Sequence, residues 1–324
     1  MRGLKRLALI AGVVVAAGAP AAAQDFPQKP IHIVVPFAAG GSPDIIARVL
    51  GEELGSAFGQ NVVIENRGGA GGSIAAHYVL DQPADGHTLF FGTTGNLATN
   101  KVLFKKLKFD PETDFMPVTV MYASCNVLIV AANSPIKSIA DLVAEAKKRP
   151  GALSFGSPGV GTAGHLVGEF FKTRTQTNLV HVPYRGQALV INDLLGGHLS
   201  ISFEAVATAI PVVQTGKMRG LATTCPQRSV QRPDVPTFAE AGINDFALEA
   251  LAIMAVRAKT PPAVVAKLNA ALVKIINAPQ VTSRIAGMGL MAKTSTPDEA
   301  RAVLAAEVQR WRRVVDAAGI PPLD

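Results

Sequence analysis

Residues 34–44 read Val34-Val35-Pro36-Phe37-Ala38-Ala39-Gly40-Gly41-Ser42-Pro43-Asp44 and lead into a helical pattern that runs on through Arg48. The apolar, β-branched run Ile31 to Val35 predicts a strand, and the Gly-rich turn after it brings Ser42 to the N-cap and Pro43 to the first helical position. Ile45, Ile46, Val49, Leu50, Leu54 and Phe58 recur at i, i+3 and i+4, the spacing that anchors a helix on a core. The free N–H groups of such a turn and the positive end of the helix dipole attract an anion without any Lys or Arg. Phe37, Ala38, Ala39, Gly40, Gly41, Ser42 and Asp44 are therefore the first candidate ligand residues. A plain strand-to-helix connection fits the same spacing.

Upstream, Arg2, Lys5 and Arg6 precede the apolar run Leu7 to Ala17 and the small residues Ala21-Ala22-Ala23, the pattern of a secretory signal (1–23) cleaved after Ala23. The apolar run is too short to span a bilayer, which takes roughly 20 residues. No Cys stands near the cleavage site to carry a lipid. Cleavage leaves 301 of the 324 residues, length for about two domains. The formal charge falls from +7 to +4 as three basic residues leave, and the remaining Lys and Arg are scattered, so nucleic acid is not the expected partner. Cys125 and Cys225 are an isolated pair, which in an oxidising compartment favours a disulfide.

Downstream, strand, Gly turn and helix alternate, predicting an α/β fold with mostly parallel sheets. Val62 to Glu65 and Thr88 to Phe91 are strands that, like the first, run into Gly and hydroxyl residues, the latter into Gly92-Thr93-Thr94-Gly95-Asn96, which adds Thr93 to the candidates. Ligands of open α/β sheets bind at that carboxyl edge. A second unit opens with the strand 153–156 and the turn Ser157-Pro158-Gly159-Val160-Gly161-Thr162-Ala163-Gly164-His165, mirroring the first, so two turns could close on one small anion. Ser138 reads as an N-cap, and Thr296-Pro297-Asp298-Glu299 as a capping box opening a last helix whose face Val303, Leu304, Val308, Trp311, Val315 must dock on a core.

The sequence resembles the Bug-type (TctC-like) solute receptors of tripartite tricarboxylate transporters. The resemblance rests on Phe37-x-x-Gly40-Gly41-x-x-Asp44-x-x-Ala47-Arg48, Glu65-Asn66-Arg67-x-Gly69-Ala70-x-Gly72, Pro83-Ala84-Asp85-Gly86-His87-Thr88-Leu89, Gly156-Ser157-x-Gly159-x-Gly161-Thr162-x-x-His165-Leu166, Val182-Pro183-Tyr184-Arg185-Gly186 and Pro233-Asp234-Val235-Pro236-Thr237-x-x-Glu240-Ala241-Gly242. It implies a two-lobed (type II) periplasmic binding protein, each lobe a sheet flanked by helices, joined by two crossover strands. The expected layout is a first lobe from 24–131, a second from 132–224 and a return to the first over 225–324. It further implies a monomer that holds a small carboxylate through backbone amides, hydroxyls and water from both turns. Membrane transport subunits or a sensor kinase would receive it. Where many members have Asp after Met-Phe, this chain has Ser202-Phe203-Glu204, and Glu204 is a candidate for the distal part of the ligand. Crossings near residues 125–133 and 222–228 would set the start of one strand beside the end of another. Cys125 and Cys225 would then bond, if their Cα atoms come to about 5.5 Å; two buried thiols are the alternative.

Several residues carry two readings. Asp44 meets a ligand amine in the family, yet Asp in a first helical turn also suits the dipole and pairs with Arg48 at i+4. Ser157, Gly161, Thr162 and Ala163 form the second cradle, or Ser157 and Thr162 merely cap a helix. His165 donates to a ligand or props the helix start, and Tyr184 covers the cleft or buries its ring. No His or Cys spacing fits a metal, and no cofactor is expected. No Ser sits in Gly-x-Ser-x-Gly, and Ser134-Pro135-Ile136-Lys137 matches Ser-x-x-Lys without its companion motifs. Gly159-x-Gly161-x-x-Gly164 matches a dinucleotide fingerprint, so an NAD(P)-dependent enzyme is the competing function; the next strand ends at Pro183-Tyr184-Arg185 with no acid for a ribose.

Overall fold

The computed structural model describes residues 26–184, 187–229 and 231–323, so the expected signal segment and Arg185-Gly186 lie outside the described residues. Strand β1 (Ile31–Val35) pairs in parallel with β2 (Val62–Asn66) and β3 (Thr88–Thr93), helices α1 (Ser42–Phe58) and α2 (Ser73–Leu80) making the crossovers. Short helices α3 (Asn100–Leu103) and α4 (Pro111–Asp114) lead to β4 (Phe115–Ser124). Cys125 alone separates β4 from β5 (Asn126–Ala131), which belongs to the second sheet.

That second sheet contains β6 (Ser154–Ser157), β7 (Val180–Pro183), β8 (Ile201–Ala205) and β9 (Met218–Thr223) with β5, in the order β7-β6-β8-β5-β9. Its helices are α5 (Ile139–Lys148), α6 (Ala163–Thr175), α7 (Gln187–Leu195) and α8 (Val206–Gln214). The chain then returns to the first sheet as β10 (Ala250–Arg257), passes through α9 (Pro262–Ile276), α10 (Pro279–Gly287) and β11 (Met291–Ala292), and ends in α11 (Pro297–Ala318). The first sheet has the order β11-β4-β10-β3-β1-β2.

The two-lobed α/β class holds, but each sheet is mixed rather than mostly parallel. β10 inserts antiparallel between β3 and β4, and β5 inserts antiparallel between β8 and β9. β5 and β10 each reach their sheet from the other lobe and not through a helical crossover within it, so the parallel sense that such a crossover imposes does not apply to them. Two stretches also lie elsewhere than expected. Asn126–Ala131 pairs in the second sheet, not the first. After β9 the chain stays with the second lobe until Leu248, because Phe238, Phe246 and Leu248 bury among Phe171 and Phe203 before it crosses.

Both sheets are covered on two faces, as the period-two alternation of their strands demands. In the first, Ile33, Phe91 and Met254 face α1 and α9, while Val34, Phe90 and Ile253 face α2 and the start of α11. In the second, Phe155 and Phe203 face α5 and α6, while Val127 and Ile129 face α7 and α8. Helix α11 serves both lobes: Ala300, Leu304 and Val308 complete the first core, and Trp311, Val314 and Val315 complete the second. It opens on the expected capping box, Thr296 with Glu299.

At the crossing, Asn126 N donates to Thr224 Oγ1 (2.9 Å), Thr224 N to Asn126 O (2.8 Å), and Leu248 N to Thr224 O (3.0 Å). β5 and β9 run antiparallel here, and Cys125 and Cys225 are joined as a disulfide with Cα atoms 5.3 Å apart. Among the described residues no helix is long and apolar enough to cross a membrane.

Candidate functional site

The first glycine turn lies at the carboxyl end of β1. Phe37 to Gly41 are exposed there and Gly40 takes φ +89°, a conformation glycine adopts without strain. Gly41, not Ser42, is the N-cap; its backbone is extended, and Ser42 is already the first helical residue with no capping bond. The reaching back is done by Asp44 instead. Its buried carboxylate accepts from Gly40 N (2.9 Å) and holds Arg48 through two bonds (3.0 and 3.2 Å). Arg48 first, then the Gly40 amide, hold Asp44 below the usual carboxylate range. The helix-start reading of Asp44 is therefore what its contacts display. The amides of Ala38, Ala39, Gly41 and Ser42 have no partner among the described residues.

Three turns of the first lobe converge. Asn66 Nδ2 donates to Phe37 O (3.2 Å), and Asn100 Nδ2 to Gly71 O (2.8 Å). A Cβ on Gly72 would lie 3.1 Å from Asn96 and 3.2 Å from Pro36, so glycine is what lets the second turn sit between the first and third. Thr93 closes the third turn, its N–H donating to Asn96 Oδ1 (2.8 Å). Buried Asn96 and the Gly69 to Gly72 turn, quoted in the sequence reading but not named there as ligand candidates, are members of this cluster. The Gly-rich spacing was the available signal.

In the second lobe the hydroxyls serve the loop itself. Ser157, fully buried, donates from Oγ to Gly159 O (3.0 Å) and meets His181 Nε2 (2.7 Å); Thr162 Oγ1 donates to Gly159 O (2.7 Å). Gly161 takes φ +81° and donates its N–H to His165 Nδ1 (3.1 Å), which fixes the tautomer of that ring. Gly164 permits α6 to start on the sheet, since a Cβ there would lie 2.9 Å from Phe203 O. Ala163 is exposed. Across the lobes, a Cβ on Gly161 would approach Leu323 to 3.1 Å and Leu103 to 3.3 Å. Tyr184 donates its hydroxyl to Asp193 Oδ2 (2.7 Å), and burial and Asp193 push it up to about 12. A cavity of about 600 Å³ lies with Ser42 on one wall and Ala207, Ile210 and Pro211 of α8 on another.

The rings of His165 and His181 lie 4.1 Å apart. Burial, with repulsion from Lys172 and, for His181, from His165, pulls both from 6.5 down to about 4. The unfolded chain takes up these protons near 6.5 and the folded one does not, so their contribution is full above 6.5 and is lost as pH falls toward 4. Glu204, fully buried, is pushed from 4.5 up to about 7 by burial, against a lowering bond from Ser202, and so favours the fold as pH falls through the same range. Two histidines against Glu204, with Glu307 also raised by burial and opposing them, leave at most one proton's slope, up to about 1.4 kcal/mol lost per pH unit between 6.5 and 4.5. Urea unfolding at pH 6.5 and 5 should show that loss; equal stability at the two values would contradict it.

The pattern of the tripartite tricarboxylate transporter family receptor, TctC, matches residues 46–320. The chain belongs to this family. BugT of Bordetella pertussis is 33% identical over 98% of this chain and 98% of its own. The solved R. palustris protein Rpa4515, described with adipate, is 35% identical, with a TM-score of 0.80 over 92% of this chain and 100% of that one. MatC of Rhodopseudomonas palustris, described with bound malate, is 29% identical, with a TM-score of 0.75 over 90% and 100%. The TctC family and its two-lobed fold are those of periplasmic solute-binding receptors, not of dinucleotide enzymes. In this TctC receptor the Gly159 to Gly164 match does lie between a strand and a helix, but β7 beside it ends without a carboxylate. Among the described residues no group of His, Cys, Asp and Glu is placed to hold a metal.

Proposed function

We propose that the protein captures a small carboxylate between its lobes, through the backbone amides of the Phe37–Ser42 and Ser157–Ala163 turns and ordered water, and delivers it to membrane transport subunits. The reading is carried by the amides of Ala38, Ala39, Gly41 and Ser42, without a partner among the described residues, at the positive end of α1, a 17-residue helix. Adipate and malate on the two solved relatives support the ligand class. The basic, apolar and small-residue run before Gln24 supports export with cleavage after Ala23. Since Ser157, Thr162 and His165, and the amides of Gly159, Gly161 and Thr162, already bond within their loop, the second turn would contribute mainly the amides of Val160 and Ala163.

A ligand that binds only the folded form at 100 times its Kd adds about 2.7 kcal/mol. For a chain of this length that raises Tm by about 4 °C. Thermal shift against di- and tricarboxylates, aromatic acids and acidic amino acids, with NAD(H) alongside, is the test. A rise with NAD(H) and none with any carboxylate would overturn the proposal.

A further inference from the structure

The segment that follows α11 returns to the first lobe. Leu323 N donates to Leu103 O (2.7 Å) and Lys105 N donates to Leu323 O (3.0 Å), so that Leu323 forms a parallel bridge with Phe104, just beyond α3. Three residues earlier, Ile320 is still buried in the core of the second lobe. Residues 320–323 are thus a short strap from one lobe to the other. Leu103 is buried, and Phe104 and Leu323 are half-buried. Their side chains reach a glycine on each side. A Cβ on Gly161 would lie 3.1 Å from Leu323 and 3.3 Å from Leu103, and a Cβ on Gly71 would lie 3.5 Å from the Phe104 ring. Asn100, at the start of α3, also holds the carbonyl of Gly71 (2.8 Å). Gly161 belongs to the second cradle and Gly71 to the converging turns of the first lobe. One small apolar group therefore stands between the two halves of the site.

Resting on the carboxylate reading above, we propose that Leu103, Phe104 and Leu323 are positioning residues, an apolar clasp that holds the Gly159–Thr162 turn of the second lobe against the Gly69–Gly72 turn of the first. They act on a ligand only through the turns they hold. The Leu323–Gly161 contact joins two lobes, so it exists only while the lobes are together, and the apolar area it buries favours that arrangement. Apparent affinity scales with the fraction of the protein in the binding arrangement. A ligand enclosed between lobes leaves when they part, so a weaker clasp shows in the dissociation rate rather than in the encounter.

Leu323→Ala removes the side chain and keeps both backbone bonds of the strap. Stopped-flow and calorimetric titration with adipate, malate and the panel acid of largest thermal shift should give a Kd raised about tenfold, nearly all of it in faster dissociation. Phe104→Ala, on the other side of the clasp, should do the same, and Leu323→Met should keep the wild-type Kd. Leu80→Ala is the control: Leu80 is partly buried against the core of the first lobe at the far end of α2 from the Gly69–Gly72 turn, so Tm should fall and Kd should not change. A Kd in Leu323→Ala and Phe104→Ala no higher than in the control overturns this inference and leaves the carboxylate reading intact. If the wild-type chain binds no carboxylate, that reading falls, and spin labels on Glu52→Cys in α1 and Lys148→Cys in α5, both exposed, decide the clasp alone. A longer distance component in Leu323→Ala than in its parent then supports the clasp, and identical distributions overturn it.

Discussion

Opening the Cys125–Cys225 bond should lower the unfolding free energy by up to about 4.7 kcal/mol, the chain-entropy value for a loop of this size, here a separation of 100 residues. The bond acts chiefly on the unfolded chain, which without it regains the freedom of a loop spanning the whole second lobe. The folded state keeps its own ties at that point, the Asn126 and Thr224 bonds and the β5–β9 pairing. Ligand affinity should therefore change much less than stability. Both sulfurs are buried, so Ser in their place would add the cost of two unpaired hydroxyls, about 1–3 kcal/mol each. Ala at both positions avoids that. Denaturant unfolding of the oxidised, the reduced and the doubly Ala-substituted protein should place the last two together and well below the first. Coincident midpoints for oxidised and reduced protein would mean that the bond constrains nothing.

Gly161→Val should weaken carboxylate binding by about 100-fold or more while the lobes still fold. At φ +81° a β-branched residue pays about 1–2 kcal/mol of backbone strain, and its Cβ meets Leu323 and Leu103 more closely than side chains normally do. Relief requires the turn to move, which breaks the Gly161 to His165 bond and displaces the donors of the second cradle. Gly216→Val is the control. Gly216 has a similar φ of +72°, but nothing lies within 4 Å of its added Cβ, and it precedes β9 at the opposite edge of the same sheet. Both variants should melt lower, and only the first should lose binding. Equal affinities in the two would remove the 159–162 turn from the site.

What the sequence could reveal was decided by how local each feature is. β1, the Ser138 cap of α5 and the Thr296–Glu299 box follow from residues a few positions apart, and they were legible. β4 and β10 were not. Pro117 near the start of β4 argues against a strand, and the antiparallel place of β10 between β3 and β4 depends on partners more than a hundred residues away. α8 was obscured by Pro211 inside it. At the site, glycine spacing pointed to both turns. It could not say that Asp44, rather than Ser42, reaches back over the helix start, or that Ser157 turns its hydroxyl inward to His181. Whether a side chain bonds its own loop or faces outward is set by neighbours from distant segments, and Glu204 is an orphan only in three dimensions.

Helix α11 places Leu304 in one core and Trp311 in the other, seven residues on. A nascent chain therefore holds two unfinished lobes until residues 297–318 have been synthesised. Once the helix docks, each lobe's melting exposes the other's apolar strip, so heating should give a single calorimetric peak, its van't Hoff enthalpy matching the measured heat.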